Sequence, residues 1–324
     1  MKVLAVGQFD PCGFHLRHRK YLAAHGVDLR IAVERVYWEE GHVADYVLGR
    51  ADDEARCAEF AREADLLQFS PVIDQEWTHR AAKLYTPDTR RTGDIADRPF
   101  GPIDWETVKA KRVACFHGSD NAHGNAEAYA RHYRGKGYAI AATTLDYVHR
   151  MEAEYLPAIV DVQGQAERRW KALSMIHCPT NRAACSTQDM IDATNQKGLK
   201  VRVSVVTGKT HAEIIAEKQR HHVGFDHLRG AFSINSLENA ALGLIPLAGV
   251  KPEYRRYLRE QGVSLPWPEI ETMDDVIDVL RAMAAEPPRL TAKKQESVRA
   301  WFWDEWSPDK VASRVAAAYR RMAN

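Results

Sequence analysis

Short β-rich runs alternate with helical segments along this chain, and this alternation is the feature that most restricts its fold. The first series has strands predicted at 2–6, 29–33, 65–69, 112–116 and 138–142. The second series has strands predicted at 173–177, 201–206, 223–225 and 244–248. Because strand–helix alternation is typical of a parallel sheet with helices on both faces, the sequence predicts two α/β units.

A break separates the two series. The alternation weakens between Tyr155 and Trp170, where Pro157 and a polar run indicate a linker. After Lys251 the chain is mainly helical, with helices predicted at 252–261, 273–285, 291–303 and 308–322. We therefore expect an amino-terminal domain, a second domain and a closing helical segment, with the boundaries 1–160, 161–300 and 301–324.

The charge balance and the cysteines argue against several classes of protein. The chain has 324 residues, with 45 basic against 44 acidic side chains. Its net charge is therefore close to zero, without the strong positive potential that is typical of a nucleic-acid or membrane binder. Five scattered cysteines without a CxxC pair argue against a disulfide framework or a zinc site. No apolar run approaches the roughly 18 residues of a membrane span. We expect a cytoplasmic protein without stable membrane insertion.

The segment Gly230–Gly249 carries the strongest signal for a ligand. Ser233 or Asn235 can cap the helix that follows, and the N–H groups of its first turn suit a diphosphate. Glu238 lies about one turn into that helix, where its carboxylate can accept hydrogen bonds from two adjacent hydroxyls, as a ribose presents. The alternative is a capped helix whose early acid is favourable to the helix dipole.

Two further loops follow predicted strands. In His177-Cys-Pro-Thr-Asn-Arg182, the guanidinium of Arg182 can hold phosphate oxygens, although an arginine in such a loop is more often a surface charge. In His117-Gly-Ser-Asp120, His117 can act on an acceptor hydroxyl or on a donor sugar, and Asp120 can orient the acceptor. The alternative there is a tight turn with a capping aspartate.

The loop from Gly7 to His15 joins the first strand to the first helix. It lacks GxGxxG, so it is no nicotinamide or flavin fingerprint, but Asp10 and His15 are candidates for contacting a ligand. The turn at Lys209 is no Walker A loop, because the upstream glycine is missing. The histidines form no metal-ligand pattern and no DxD motif occurs, so we expect neither a metal site nor a cofactor.

Taken in their order along the chain, these segments resemble those of the GT-B glycosyltransferases, specifically the retaining family 4. His177–Arg182 is similar to the HxPTxR start of that family's donor-binding domain, and Gly230–Gly249 is similar to its GxxGxxxLEAMALGxPVIA segment. Tyr155–Pro157 resembles the crossover between the family's two domains. The tail from Ala300 to Tyr319 resembles its closing helices, the last of which packs back on the first lobe. The resemblance covers most of the chain and implies two facing Rossmann-like domains.

The resemblance also implies an activity, which is transfer of a sugar from a UDP- or GDP-sugar to an acceptor hydroxyl, with retention and without an obligatory metal. The amino-terminal domain would bind the acceptor, and the second domain would bind the donor. Glu238 would bind the ribose, and the diphosphate would contact Asn235, Ser236, Leu237, Arg182 and Lys209. His117 would lie near the transferred sugar, and the acceptor side would be lined by Asp120, Gly13, Phe14 and His15.

Two departures from the family pattern leave alternatives open. Gly230 and Cys185 stand where the family often has an acid that touches the sugar and a lysine that neutralises diphosphate charge. One alternative is a non-catalytic protein that binds nucleotide sugars. Another is a transferase acting on hydroxymethylated bases of DNA, as in some phage enzymes, since basic clusters with aromatic residues occur at 17–21, 131–136 and 254–257.

Overall fold

The computed structural model describes most of the chain. It covers residues 1–7, 10, 13–34, 44–70, 108–117, 126–166, 172–179, 185–196, 198–228 and 230–324. The chain forms two compact units, which we call unit 1 (Met1–Ile159 with Pro308–Asn324) and unit 2 (Val160–Ser307).

Strands and helices alternate through most of the described chain. The strands are β1 (Lys2–Gly7), β2 (Asp28–Val33), β3 (Tyr46–Val47), β4 (Leu66–Phe69), β5 (Lys111–Phe116), β6 (Ala139–Ala142), β7 (Glu154–Tyr155), β8 (Leu173–His177), β9 (Val201–Val205), β10 (Val223–Phe225) and β11 (Ile245–Leu247). The α-helices are α1 (Phe14–Leu22), α2 (Ala51–Glu63), α3 (Ala126–Gly135), α4 (Leu145–Met151), α5 (Thr187–Gln196), α6 (His211–Lys218), α7 (Ile234–Leu242), α8 (Pro252–Glu260), α9 (Met273–Ala285), α10 (Pro288–Glu305) and α11 (Pro308–Ala323). The predicted α/β class is confirmed.

Unit 1 is built on a parallel sheet with the strand order β3-β2-β1-β4-β5-β6-β7. The consecutive residues Val3–Val6 of β1 are all buried, as expected for a strand that is covered on both faces. Along the chain, strands are added on one side from β1 to β3 and on the other side from β4 to β7. The order therefore reverses between β1 and β4, and such a reversal opens a crevice beyond the carboxyl ends of the strands.

Unit 2 has a smaller parallel sheet with the strand order β11-β10-β8-β9. Strand β9 is added on one side of β8, whereas β10 and β11 are added on the other side. The reversal between β8 and β10 places a second crevice at the carboxyl ends of these two strands. The segments that follow them, starting at Cys178 and Asp226, include the motifs singled out in the sequence.

The last helix, α11, packs within unit 1 against α1 and against the sheet. Its Tyr319 hydroxyl donates a hydrogen bond of 2.8 Å to the side-chain oxygen of Gln68 in β4. The expectation that the closing helix returns to the first lobe is confirmed. The chain re-enters unit 1 at Pro308, and α10, which continues to Glu305, belongs to unit 2. The buried face of α11 comprises Val311, Ala312, Val315, Ala316 and Tyr319.

Gly224 in β10 lies against the buried side chain of Asn239 in α7. A Cβ at position 224 would come 2.1 Å from Asn239 Nδ2, so one of the two residues must move in a Gly224→Ala variant. We expect this variant to lose about 1–3 kcal/mol of unfolding free energy through overpacking. The matched control is Gly135→Ala in α3, where the new Cβ meets no atom within 4 Å. Urea denaturation of both variants measures their unfolding free energies. Equal values for Gly224→Ala and Gly135→Ala would contradict overpacking at position 224.

Candidate functional site

A buried carboxylate holds the loop between β10 and α7. Asp226 accepts hydrogen bonds from the N–H and hydroxyl of Ser233, at 3.0 and 2.7 Å, and from the hydroxyl of Ser236 at 2.6 Å. Ser233 also caps α7, since its Oγ accepts from the N–H of Asn235. Burial opposes ionisation of Asp226, but the neighbouring His227 and these hydrogen bonds keep its pKa below the ordinary value. The polar side chains at the start of α7 therefore bind Asp226.

Aromatic rings fix the apolar side of the same loop. Phe232 packs edge-on against Trp267 and Trp306, with ring centroids 5.7 Å apart in both pairs. Trp301 of α10 packs edge-on against Trp267 at 5.1 Å. Edge-to-face pairs of this kind add specific geometry to the burial of large apolar surfaces. The loop is thus held by hydrogen bonds to Asp226 and by packing against two tryptophans.

The same loop contains Gly230, which stands where the family pattern often has an acid. Gly230 has a φ of 92°, which disfavours any residue with a side chain. A Cβ there would come 2.8 Å from Cε of Lys251, so the lysine chain fills the space that an acidic side chain would need. An acidic residue at this position would therefore need a different backbone conformation and a shift of the Lys251 side chain.

Glu238 of α7 carries a carboxylate that a lysine and a histidine approach. Lys218 Nζ donates to its Oε2 at 2.6 Å, and His211 Nε2 donates to its Oε1 at 2.7 Å. The Glu238 and Lys218 side chains are 9% and 1% exposed, so this ion pair is buried. Burial opposes ionisation of Glu238, but Lys218 and His211 lower its pKa to about 2. The carboxylate is therefore charged at neutral pH and held in one orientation.

Helix α6 supplies both partners of Glu238. His211 and Lys218 are its first and last residues, seven positions apart, and this spacing places them on the same face of the helix. A capping box between Thr210 and Glu213 fixes the start of α6. Lys209, in the preceding loop, is exposed near the carboxyl end of β9. The β9–α6 connection thus brings positive charge to the edge of the unit 2 sheet.

In unit 1, a chain of buried polar groups starts at the β1–α1 loop. Asp10 accepts from the backbone N–H groups of His15 and Leu16, at 2.8 and 3.0 Å, and from His15 Nδ1 at 2.9 Å. His15 Nε2 accepts from the Gln68 amide at 2.8 Å, and Gln68 accepts from Tyr319. Burial opposes ionisation of Asp10, but its interactions with His15 and its backbone hydrogen bonds lower its pKa to about 2. His15 is consequently fixed, with both ring nitrogens engaged.

His117 follows β5 and lies beside this chain of polar groups. Its ring packs edge-on against Phe14 and His15, with centroids 4.9 and 5.2 Å away. Its Nε2 lies 3.1 Å from the Ser70 hydroxyl, and its Nδ1 has no hydrogen-bond partner among the described residues. Burial lowers the pKa of His117 well below its ordinary range, so the ring is neutral at pH 7. A neutral ring with an unpaired nitrogen can exchange a hydrogen bond with a hydroxyl, but Nδ1 of His117 is buried, so such a bond requires the groups that cover it to move.

The structure brings the predicted residues together in two groups. The unit 1 group lies at the crevice between β1 and β4, where Gly13 has a φ of 65° and caps α1. The unit 2 group shares the first turns of α7, with Leu237 buried in the core. The first group is Gly13, Phe14, His15 and His117, and the second is Asn235, Ser236, Leu237 and Glu238.

The sequence patterns and the described structure do not identify the same set of site residues. The sequence candidates Asp120 and Arg182 lie outside the described residues. Conversely, sequence reasoning missed Lys218, Gln68 and the bond from His211 to Glu238, since no motif marks them.

Other sequence candidates have structural roles. In the basic clusters considered for DNA, Tyr254 and Arg255 are buried, as are His18 and Tyr133. Arg255 donates to the carbonyl of Pro268. In the described part of the chain, no three His, Cys, Asp or Glu side chains form a group that could hold a metal ion. Nor does any described helix combine the length and apolarity needed to cross a membrane.

Comparison with solved structures shows that the fold is that of the GT-B glycosyltransferases. The chain is similar to Anabaena HepE in complex with UDP-glucose, with a TM-score of 0.62 and 11% identity over 99% of this chain and 100% of that one. It is similar to a glycosyltransferase from Rickettsia africae, with a TM-score of 0.58 and 11% identity over 99% and 98% of the two chains. The lipopolysaccharide outer core galactosyltransferase WaaB gives a TM-score of 0.54 and 9% identity over 99% of each chain.

At identities of 9–11%, the structural matches establish the fold and assign no role to any residue. The sequence itself matches no protein-family model and no curated protein. The predicted GT-B fold is confirmed.

Removing the carboxylate of Glu238 leaves the buried Lys218 ammonium without its counter-ion. We expect Glu238→Gln to lose about 3–5 kcal/mol of unfolding free energy, because an uncompensated buried charge is costly. The double variant Glu238→Gln with Lys218→Met should recover most of that loss, since it removes the buried charge as well. Urea denaturation at pH 7 measures both. If Glu238→Gln were as stable as the wild type, this result would contradict a buried ion pair between Glu238 and Lys218.

Proposed function

We propose that this protein is a glycosyltransferase that transfers a sugar from a nucleotide-sugar donor to an acceptor hydroxyl, with retention and without an obligatory metal. The observation that carries the proposal is the oriented carboxylate of Glu238, which lies in the second turn of α7 beside the crevice of unit 2. It is charged, buried and held by Lys218 and His211, within a fold shared with a protein solved with UDP-glucose.

On the donor side, Glu238 would accept hydrogen bonds from the two hydroxyls of the ribose. A carboxylate has room for about four hydrogen bonds, so it can accept a diol while Lys218 holds Oε2. Lys209 and Arg182 would neutralise the diphosphate.

The start of α7 would form the surface against which the diphosphate binds. Asp226 binds the side chains of Ser233 and Ser236, so these two residues would shape the loop beside the diphosphate. Asn235, Ser236 and Leu237 would form the turn itself. Their backbone N–H groups donate to Ser233, so the diphosphate would meet the positive end of the α7 dipole.

On the acceptor side, His117 would contact the reacting groups through Nδ1 once the groups that cover this buried nitrogen have moved. Its neutral ring can exchange a hydrogen bond with the transferred sugar or with the acceptor hydroxyl. His15 would act as a positioning residue, since Asp10 and Gln68 occupy both of its nitrogens. Gly13, Phe14 and Asp120 would line the acceptor. The donor nucleotide is UDP or GDP in this proposal, and the acceptor is a small molecule or a glycan.

Nucleotide binding tests the donor site. We expect one of UDP, GDP, ADP or CMP, or a sugar conjugate of one of them, to raise the melting temperature. A ligand at a hundredfold excess over its dissociation constant stabilises the folded state by roughly 2.7 kcal/mol. The double variant Glu238→Gln with Lys218→Met, which removes the carboxylate and the buried charge together, should lose this shift. The absence of a shift with every nucleotide, or an undiminished shift in the double variant, would refute the donor site.

Substitution of His117 tests the other half of the proposal. With the sugar nucleotide that binds, slow release of the nucleotide, with water as acceptor, provides an assay. We expect His117→Ala to lower this rate by roughly a hundredfold, since removing one hydrogen-bonding group that contacts the reacting atoms costs about that much. The nucleotide affinity should not change. The matched control is His132→Ala, which removes an exposed histidine of α3. Equal rates in the two variants would exclude a role for His117.

A further inference from the structure

The carboxylate of Glu238 is almost completely covered. Its side chain is 9% exposed, with Lys218 bonded to Oε2 and His211 bonded to Oε1. The two partners differ sharply in their own exposure, because the Lys218 side chain is 1% exposed and the His211 side chain is 43% exposed. The solvent side of the carboxylate is therefore the side on which His211 lies.

The two partners also differ in what their withdrawal would cost. Lys218 is buried, and withdrawing it would leave two opposite charges separated inside the protein. His211 is the first residue of α6, and the Thr210–Glu213 capping box fixes the start of that helix. Its half-exposed ring can therefore rotate further into solvent without loss of the helical hydrogen bonds. Of the two partners, His211 is the one that can leave at the smaller cost.

We propose that His211 is a displaceable lid on the ribose subsite. This inference rests on the proposed binding of ribose by Glu238. When a nucleotide binds, the imidazole leaves Oε1 and a ribose hydroxyl donates to that oxygen in its place, while Lys218 keeps Oε2 in position. His211 thus competes with the ribose, and it sets both the affinity for the nucleotide and the preference for ribose over deoxyribose.

Removing the lid should strengthen binding. Hydrogen bonds to a charged group are worth enough that freeing Oε1 should lower the dissociation constant of a ribonucleoside diphosphate about tenfold in His211→Ala. A 2′-deoxy nucleotide offers one hydroxyl fewer to the freed carboxylate and should gain less. The ratio of the two affinities should therefore rise. His211→Gln keeps a side-chain N–H donor and should stay close to the wild type.

Isothermal titration of UDP, GDP, ADP and CMP, each with its 2′-deoxy counterpart, measures these affinities. The proteins compared are the wild type, His211→Ala, His211→Gln and the control His132→Ala. Tighter ribonucleotide binding in His211→Ala alone supports the lid. Unchanged or weaker binding in His211→Ala, with the wild type binding normally, overturns the lid and leaves the donor site intact. If no nucleotide binds to the wild type or to His211→Ala, both the donor site and the lid are overturned.

Discussion

Every strand pairing in the two described sheets is parallel, and this one constraint brings the candidate residues together. Parallel pairing places the carboxyl ends of neighbouring strands at one edge. The strand order reverses between β1 and β4 and between β8 and β10, so each edge has a crevice. Residues that are remote in sequence, such as His15, Ser70 and His117, meet there because their strands are adjacent.

Each crevice contains a buried carboxylate whose charge is compensated. Asp10 is held by two backbone N–H groups and by His15, whereas Glu238 is held by Lys218 and His211. A buried charge without such partners would cost several kcal/mol, so these groups come fully oriented. Orientation before the ligand arrives reduces the ordering that binding requires. The same contacts therefore serve the stability of the fold and the proposed chemistry.

The longer elements were predictable because they carry periodicity. Helix α9 and strand β8 have the predicted ends, as does the three-residue strand β10. The two-residue strands β3 and β7 were missed, since two residues show no alternation, and so was α2, whose Ala51–Glu63 segment is rich in charge. These misses lie mainly at the sheet edges and surface, where burial imposes little pattern on the sequence.

The candidate site was only partly predictable. Glu238 was found because a capped helix with an early acid follows a glycine loop, which is a local pattern. Its partners were not found, since Lys218 lies 20 residues away, and Tyr319 reaches Gln68 across 251 residues. Such contacts arise from packing and leave no local signature. Sequence patterns therefore indicated which groups carry chemistry, and the fold was needed to show what orients them.

The most direct test of the account is a crystal structure of the protein with the nucleotide that stabilises it most. The account predicts that both ribose hydroxyls lie within hydrogen-bond distance of the Glu238 carboxylate, with Lys218 still bonded to Oε2. A nucleotide bound elsewhere, or a ribose that makes no contact with Glu238, would contradict the central claim that this carboxylate is the donor-binding group.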